Sequence, residues 1–82
     1  MMIVVSYDIA EDRRRGKVLN ELKNHGTRVQ ESVFECELNN RRFLRLKVML
    51  KKIVLEKEDS IRYYIICRQC LSRIEYLGKS KS

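Results

Sequence analysis

The sequence contains no proline, and it has only three glycines and one histidine among its 82 residues. Without proline, repeats or low-complexity tracts, the chain shows no linker and no domain boundary. It also has no glycine-rich phosphate loop, no serine–histidine–aspartate set and no aromatic motif of an RNA-recognition sheet. These absences argue against a phosphate-loop nucleotide-binding protein, a serine hydrolase and an RNA-recognition-motif protein.

Long apolar runs are also missing, since no run approaches the ~20 residues that a membrane-spanning helix needs. The opening stretch MMIVV is too short for a signal peptide, no small-residue cleavage site follows it, and charged residues begin at Asp8. We therefore expect this stretch to be a strand, and we expect a cytoplasmic protein with no membrane partner.

Positive charge dominates, because the chain has 18 Lys and Arg residues but only 11 Asp and Glu residues, which gives a net charge of +7. Such an excess favours a polyanionic partner through phosphate neutralisation and counterion release. A membrane surface would instead need a basic amphipathic helix with a free apolar face, and the apolar faces of this chain are needed for a core. Nucleic acid is the expected partner.

The first third of the chain predicts a strand followed by a helix. The apolar, β-branched stretch Met2 to Ser6 predicts a buried central strand that ends at Tyr7-Asp8-Ile9. Asp12 is the predicted cap of a helix that runs to about His25, with Gly26 as its C-terminal stop.

The remainder of the chain predicts further strands around a second helix. Thr27 to about Leu38 predicts one long or bulged strand. Asn39 or Asn40 then caps a helix whose apolar residues recur at helical spacing: Phe43, Leu46, Leu50, Ile53 and Val54. Ile61 to Cys67 predicts another strand, and Ile74 to Leu77 a final short one.

Interpreted as strand, helix, strand followed by a second unit of strand, helix, strand, the chain predicts an α+β fold, a ferredoxin-like β-α-β-β-α-β sandwich with a short extra C-terminal strand and both helices on one face of an antiparallel sheet. Apolar residues at adjacent strand positions, such as Ile65 and Ile66, indicate that the second face is also buried, most simply against a second copy. A chain this short buries only roughly 60 to 65% of its unfolded surface. We predict a homodimer packed through its sheets, with residues 1–78 as one domain and residues 79–82 as a flexible tail.

Four stretches form a connected pattern: the strand ending in YDI, the helix start DRRRGKV, then RVQESVFEC and EDSIRYYIIC. This pattern resembles the CRISPR-associated protein two family over nearly the whole chain, from Met2 to Leu77. The resemblance implies a ferredoxin-like homodimer that joins the larger CRISPR-associated integrase and captures foreign DNA fragments as new spacers. Some members of the family are described as metal-dependent nucleases, which implies an endonuclease acting on RNA or DNA.

Asp8 has two interpretations from the residues alone. A carboxylate that ends a buried strand either binds a cation or hydrogen-bond donors, or it caps the next turn. The resemblance favours the first, and it implies that the Asp8 carboxylates of two protomers face each other across the two-fold axis and hold one Mg²⁺ or Mn²⁺. Asp8 is therefore the predicted metal ligand and catalytic residue.

The resemblance also implies four side chains around the aspartate, with arginines for phosphate and aromatic rings for a nucleotide: Tyr7, Arg15, Arg28 and Phe34. Lys17 is placed where some members carry arginine, which keeps the charge but loses the bidentate fork. Considered without the resemblance, Phe34 is explained equally well by core packing.

Cys67 and Cys70 form a C-x-x-C pair, which is compatible with half a zinc site, a redox pair or two structural thiols. A zinc site needs four ligands, and only Cys36 and His25 remain, with no second pair at metal spacing. The sequence therefore favours structural thiols.

Three functions compete. One is a bridge in the spacer-acquisition complex that binds duplex DNA without cutting it, and another is a metal-dependent endonuclease. A third, a toxin-like ribonuclease acting on messenger RNA, is suggested only by the small fold. Our working hypothesis is a spacer-acquisition protein with Mg²⁺-dependent endonuclease activity on RNA or DNA, and the non-catalytic DNA-binding scaffold is its alternative.

Overall fold

A computed structural model describes residues 1–78 as a four-stranded antiparallel sheet with two long helices packed on one face. The elements are β1 (Met2–Asp8), α1 (Asp12–Lys23), β2 (Thr27–Gln30), β3 (Val33–Glu37), α2 (Asn40–Ile53), β4 (Ser60–Ile66) and α3 (Arg68–Leu71). The strand order is β2-β3-β1-β4. The predicted ferredoxin-like α+β fold is confirmed, and the predicted tail at residues 79–82 lies outside the described residues.

The core lies between the sheet and the helices, and both of its sides follow from residue spacing. In β1 every second side chain, Ile3, Val5 and Tyr7, is buried, as the two-residue period of a strand requires. α2 buries one stripe at helical spacing: Phe43, Leu46 and Leu50. The Asn39 side chain caps this helix by accepting a hydrogen bond from the backbone N–H of Arg42 at 2.8 Å, which confirms one of the two predicted caps.

The predicted Asp12 cap of α1 is wrong by one residue. Glu11 is the N-cap, and its carboxylate accepts hydrogen bonds from the backbone N–H groups of Arg13 and Arg14 at 2.8 and 3.0 Å. These bonds lower the pKa of Glu11. Asp12 lies in the first turn, where it pairs with Arg15 and where a negative charge is favourable.

The role predicted for Gly26 is also wrong. α1 ends at Lys23, and Gly26 does not adopt the left-handed conformation of a glycine stop. An ideal Cβ on Gly26 would lie 2.3 Å from the carbonyl oxygen of Glu35 and 2.5 Å from Sγ of Cys36. Glycine is needed here because the chain crosses β3 too closely for any side chain.

The single strand predicted from Thr27 to Leu38 is two strands, β2 and β3, which pair antiparallel. An irregularity is present in β2, where the register shifts between Arg28 and Gln30, and not at Val33 and Phe34, where the sequence predicted it. The chain reverses at Glu31 and Ser32 because β1 supplies hydrogen-bond partners there. The backbone N–H of Tyr7 donates to the Ser32 carbonyl at 3.0 Å.

The C-terminal segment differs from prediction as well. β4 is displaced by one residue from the predicted strand, and the short helix α3, which was not predicted, follows it. Residues 74–77 form no strand in the single chain, and Ile74, Tyr76 and Leu77 are exposed. A strand needs a neighbouring edge with which to pair, and this segment meets none within residues 1–78. Among the same residues, no helix is long and apolar enough to cross a membrane.

Candidate functional site

Asp8 is the last residue of β1, and its side chain is exposed. Because neighbouring strand residues point to opposite faces and Tyr7 is buried under the helices, Asp8 lies on the helix-free face of the sheet, here called the open face. The second interpretation of Asp8, a turn cap, does not hold. The turn after β1 takes its side-chain acceptors from Asp59, which binds the N–H of Ala10, and from Glu11.

Within residues 1–78 the Asp8 carboxylate makes no hydrogen bond and no ion pair, so it is free to take a ligand. It lines a shallow depression of about 210 Å³ on the open face. The other residues that line this depression come from β1 and β4: Ser6, Tyr7, Ser60, Arg62 and Tyr64. Hydroxyl and guanidinium groups beside a carboxylate suit water and phosphate oxygens.

Sequence reasoning missed Ser60, Arg62 and Tyr64. Asp8 pairs with Ser60 and Ser6 pairs with Arg62 in the β1–β4 register, so Arg62 is a diagonal neighbour of Asp8 on the same face. The available signal was the alternation of these three residues in β4. It became informative only once the strand was paired with β1.

A divalent ion bound in this depression would have one carboxylate ligand, Asp8, from each chain. Within the part of the chain that the structure describes, no three His, Cys, Asp or Glu side chains form a cluster that could hold a metal. The nearby acids Glu11, Asp12 and Asp59 are engaged in a cap and in ion pairs. Mg²⁺ keeps several waters and needs only one or two carboxylates. Asp8 fits such an ion when a second copy supplies another carboxylate.

Tyr7 and Phe34, predicted to surround the aspartate, lie on the other face of the sheet. Phe34 is fully buried and Tyr7 is 5% exposed, and their ring centroids are 6.4 Å apart. The Tyr7 hydroxyl donates to the Glu31 carbonyl at 3.1 Å, and burial raises its pKa. The two rings therefore support the strand end from the core, where a nucleotide base does not reach in this structure.

The two predicted arginines gather on that same side, at the C-terminal end of β1. Arg28 donates through Nε and Nη2 to the Glu31 carbonyl at 3.0 and 2.8 Å, and Arg15 donates through the same two atoms to the Ile9 carbonyl at 3.3 and 2.9 Å. The Arg15 side chain is 47% exposed, and Arg28 is also exposed. They can meet a phosphate that passes the end of the strand, whereas Lys17 points into solvent from α1 without an ion pair among residues 1–78.

Asp59 holds the strand ends in place, and sequence reasoning missed it. Its buried carboxylate accepts hydrogen bonds from Nε and Nη2 of Arg14 at 2.8 and 3.1 Å, and from the backbone N–H groups of Ala10 and Leu55 at 3.0 and 2.9 Å. The Arg14 guanidinium and these N–H groups hold the pKa of Asp59 well below its usual range. This one side chain ties α1 and the turn after β1 to the start of β4. It thereby fixes the strand end that carries Asp8.

The C-x-x-C pair lies between the end of β4 and α3. Cys67 and Cys70 are both exposed, whereas Cys36 is buried in the core. Cys67 caps α3 by accepting a hydrogen bond from the backbone N–H of Cys70 at 3.3 Å, which is a structural role.

With this geometry in hand, comparison with known proteins gives a consistent result. A family model described as CRISPR associated protein Cas2 matches residues 1–74. The chain is 41% identical over 78 residues to the CRISPR-associated endoribonuclease Cas2 3 of Synechocystis, covering 95% of this chain and 85% of that protein.

Solved structures agree. The crystal structure of Streptococcus pyogenes Cas2 is similar with a TM-score of 0.83 and 37% identity, covering 95% of this chain and 100% of that one. A chain of a partial Cas6-RT-Cas1–Cas2 complex is similar with a TM-score of 0.81 and 25% identity, covering 93% of this chain and 83% of that one.

Proposed function

This chain belongs to the CRISPR associated protein Cas2 family, and we propose that it is a cytoplasmic, homodimeric subunit of spacer acquisition with a Mg²⁺-dependent endonuclease site at Asp8. The observation that carries the nuclease part is the exposed Asp8 carboxylate, which has no partner among residues 1–78 and lies beside hydroxyl and guanidinium groups. The similarity to a chain of a complex named for Cas1 and Cas2 supports the CRISPR-associated integrase as partner.

Exposed apolar surface supports the homodimer. Tyr64 and Ile65 in β4 are 49% and 61% exposed, and Ile74 and Tyr76 after α3 are 53% and 63% exposed. Large exposed apolar side chains on a small domain are typical of an interface. A second copy packed on the open face would cover Tyr64, and its sheet would give residues 74–77 a strand edge with which to pair.

The dimer and the metal support each other in this proposal. A two-fold axis beside Asp8 would bring two carboxylates together, and like charges at short distance repel unless a cation lies between them. The chemistry that a divalent ion supplies when bound is activation of water and neutralisation of charge on the phosphodiester. Arg62 would bind a phosphate oxygen, and Ser6 and Ser60 would orient water or phosphate by hydrogen bonds.

Nucleic-acid binding is supported by α2. Its exposed side chains include six basic residues and no acidic residue. The basic residues are Arg41, Arg42, Arg45, Lys47, Lys51 and Lys52. A helix with this charge has no internal ion pairs of its own and gains from phosphate neutralisation. We propose duplex DNA as the ligand of this surface, and RNA or DNA as the substrate at Asp8.

A specific observation keeps the scaffold function as the second candidate. Among residues 1–78, Asp8 is the one carboxylate that lines this depression, and Arg62 lies diagonally beside it as a competing cation. An Asp8 that pairs with an arginine across the dimer would bind no metal. The protein would then bridge integrase subunits and DNA without cutting.

The test compares the wild type with Asp8→Asn for Mg²⁺-dependent cleavage of labelled RNA and duplex DNA, together with a spacer-integration assay that includes the integrase. Asp12→Asn is the matched control, because Asp12 is 93% exposed and pairs only with Arg15. We expect Asp8→Asn to abolish cleavage and Asp12→Asn to retain it. A wild type that never cuts while integration proceeds would establish the scaffold and remove the nuclease.

A further inference from the structure

The proposed site does not use the exposed pair Cys67 and Cys70, and in the fold Cys67 serves as the N-cap of α3. Cys67 follows β4 directly, and Cys70 lies one helical turn later in α3. The remaining cysteine, Cys36, is fully buried, and burial raises the pKa of its thiol to about 11. The chain therefore offers two accessible thiols next to each other and one inaccessible thiol as an internal reference.

The backbone holds these two thiols on one closed turn. The Cys67 Sγ accepts a hydrogen bond from the backbone N–H of Cys70 at 3.3 Å, and the Leu71 N–H donates to the Cys67 carbonyl at 2.8 Å. Side chains three residues apart on such a turn have Cβ atoms about 5–6 Å apart. Disulfide-bonded cysteines have Cα atoms usually about 4.4–6.8 Å apart and Cβ atoms near 4 Å. A small adjustment of this exposed turn brings the two sulfurs into bonding distance.

The pKa values of the two thiols are shifted in opposite directions. A hydrogen bond from the Cys70 side chain, followed by backbone hydrogen bonds, lowers the pKa of Cys67, whereas the same contact raises the pKa of Cys70. The thiolate is the nucleophile in disulfide exchange. Cys67 is thus suited to attack first and Cys70 to resolve the product.

Zinc is a poorer occupant of this pair. A structural zinc ion needs four ligands, and no cluster of three candidate ligands exists within residues 1–78. The β1–β4 register places Asp8 opposite Ser60 and Met2 opposite Ile66. Six strand residues, roughly 20 Å, therefore separate Asp8 from the C-x-x-C end of β4. A two-fold axis beside Asp8 would keep the two C-x-x-C pairs of a dimer apart.

We propose that Cys67 and Cys70 form a redox-modification site that closes to an intramolecular disulfide by exchange with a low-molecular-weight disulfide such as oxidised glutathione. The Cys67 thiolate attacks one sulfur of glutathione disulfide, forms a mixed disulfide and releases one glutathione thiolate. Cys70 then loses its proton and attacks the Cys67 sulfur, which forms the Cys67–Cys70 bond and releases the second glutathione. Two protein thiols are oxidised, and one glutathione disulfide is reduced to two glutathione molecules.

The test treats the full, reduced protein with oxidised glutathione and measures free thiols and intact mass without reductant. We expect the denatured wild type to lose two of its three titratable thiols, with the mass of a monomer less two hydrogen atoms. Cys70→Ser should stop at a stable adduct with one glutathione, and Cys67→Ser should form that adduct more slowly. Cys36→Ala should lose both of its two thiols, because the buried thiol takes no part.

Three results would overturn the proposal. One is a wild type that keeps all three thiols in excess oxidant. Another is a first product that is a disulfide-linked dimer of two chains. The third is an adduct that forms as fast on Cys67→Ser as on Cys70→Ser, which would remove Cys67 as the attacking group. Because both variants change exposed side chains, circular dichroism should show the wild-type fold in each.

Discussion

Replacing Gly26 with alanine tests the close approach of the chain to β3 just before β2 begins. The added Cβ would lie 2.3 Å from the Glu35 carbonyl oxygen, 2.5 Å from Cys36 Sγ and 2.9 Å from Cys36 Cα. Two of these atoms belong to the backbone of β3, so rotation of a side chain does not relieve the contact. The segment after α1 must move away from the sheet, which loosens the packing around Cys36.

Overpacking of this kind costs about 1–3 kcal/mol, and contact with backbone favours the upper half of that range. For a domain of this size, a loss of about 2–3 kcal/mol lowers Tm by roughly 8–24 °C. Gly16 supplies the matched control. It lies inside α1, and a Cβ there has no atom within 4 Å. Gly16→Ala should therefore stabilise the protein by about 0.5–1 kcal/mol through helix propensity.

Thermal and urea unfolding followed by circular dichroism would measure both variants. All proteins should be compared at one concentration, because dimerisation makes Tm depend on concentration. The same change from glycine to alanine is expected to lower the stability at position 26 and to raise it at position 16. A Gly26→Ala protein as stable as the wild type, or a fall in stability of equal size in both variants, would contradict this expectation.

Two further outcomes follow from the structure. Asp59 has a folded-state pKa below its ordinary value of 3.8, so its contribution to stability is complete above that pH and is lost as the pH falls further. Asp59→Asn should therefore be less stable at pH 7 and should lose less stability than the wild type on acidification, as urea unfolding at several pH values would show; parallel pH curves would contradict this. On α2, the double change Arg41→Gln and Arg45→Gln should weaken DNA binding and reduce the slope of log K against log salt by about 1.8 for two lost phosphate contacts. Lys23→Gln on α1 is the control for the loss of one positive charge, and a loss of slope of about 0.9 in that control, half that of the double variant, would rule out a dedicated α2 surface.

The sequence by itself determined β1, the two long helices and most of the core. The two-residue period of β1 and the helical stripe of α2 are local signals, because each depends on the geometry of a single element. The cap at Asn39 and the position of Asp8 at the end of a strand were readable for the same reason. Local signals also gave two small errors. The predicted helix cap was off by one residue, since Glu11 competes with Asp12 for the same N–H groups. Two strands were predicted as one, since the reversal at Glu31 resembles an irregular strand.

The tertiary structure alone decided which side chains share a face with Asp8. Alternation shows that Tyr7 and Asp8 point in opposite directions, but only the packed helices show which direction is covered. The companions of Asp8 on the open face, Ser60 and Arg62, lie more than fifty residues away along the chain and are brought there by the β1–β4 register. Register is set by long-range pairing and by the core, neither of which leaves a signature in a short stretch of sequence.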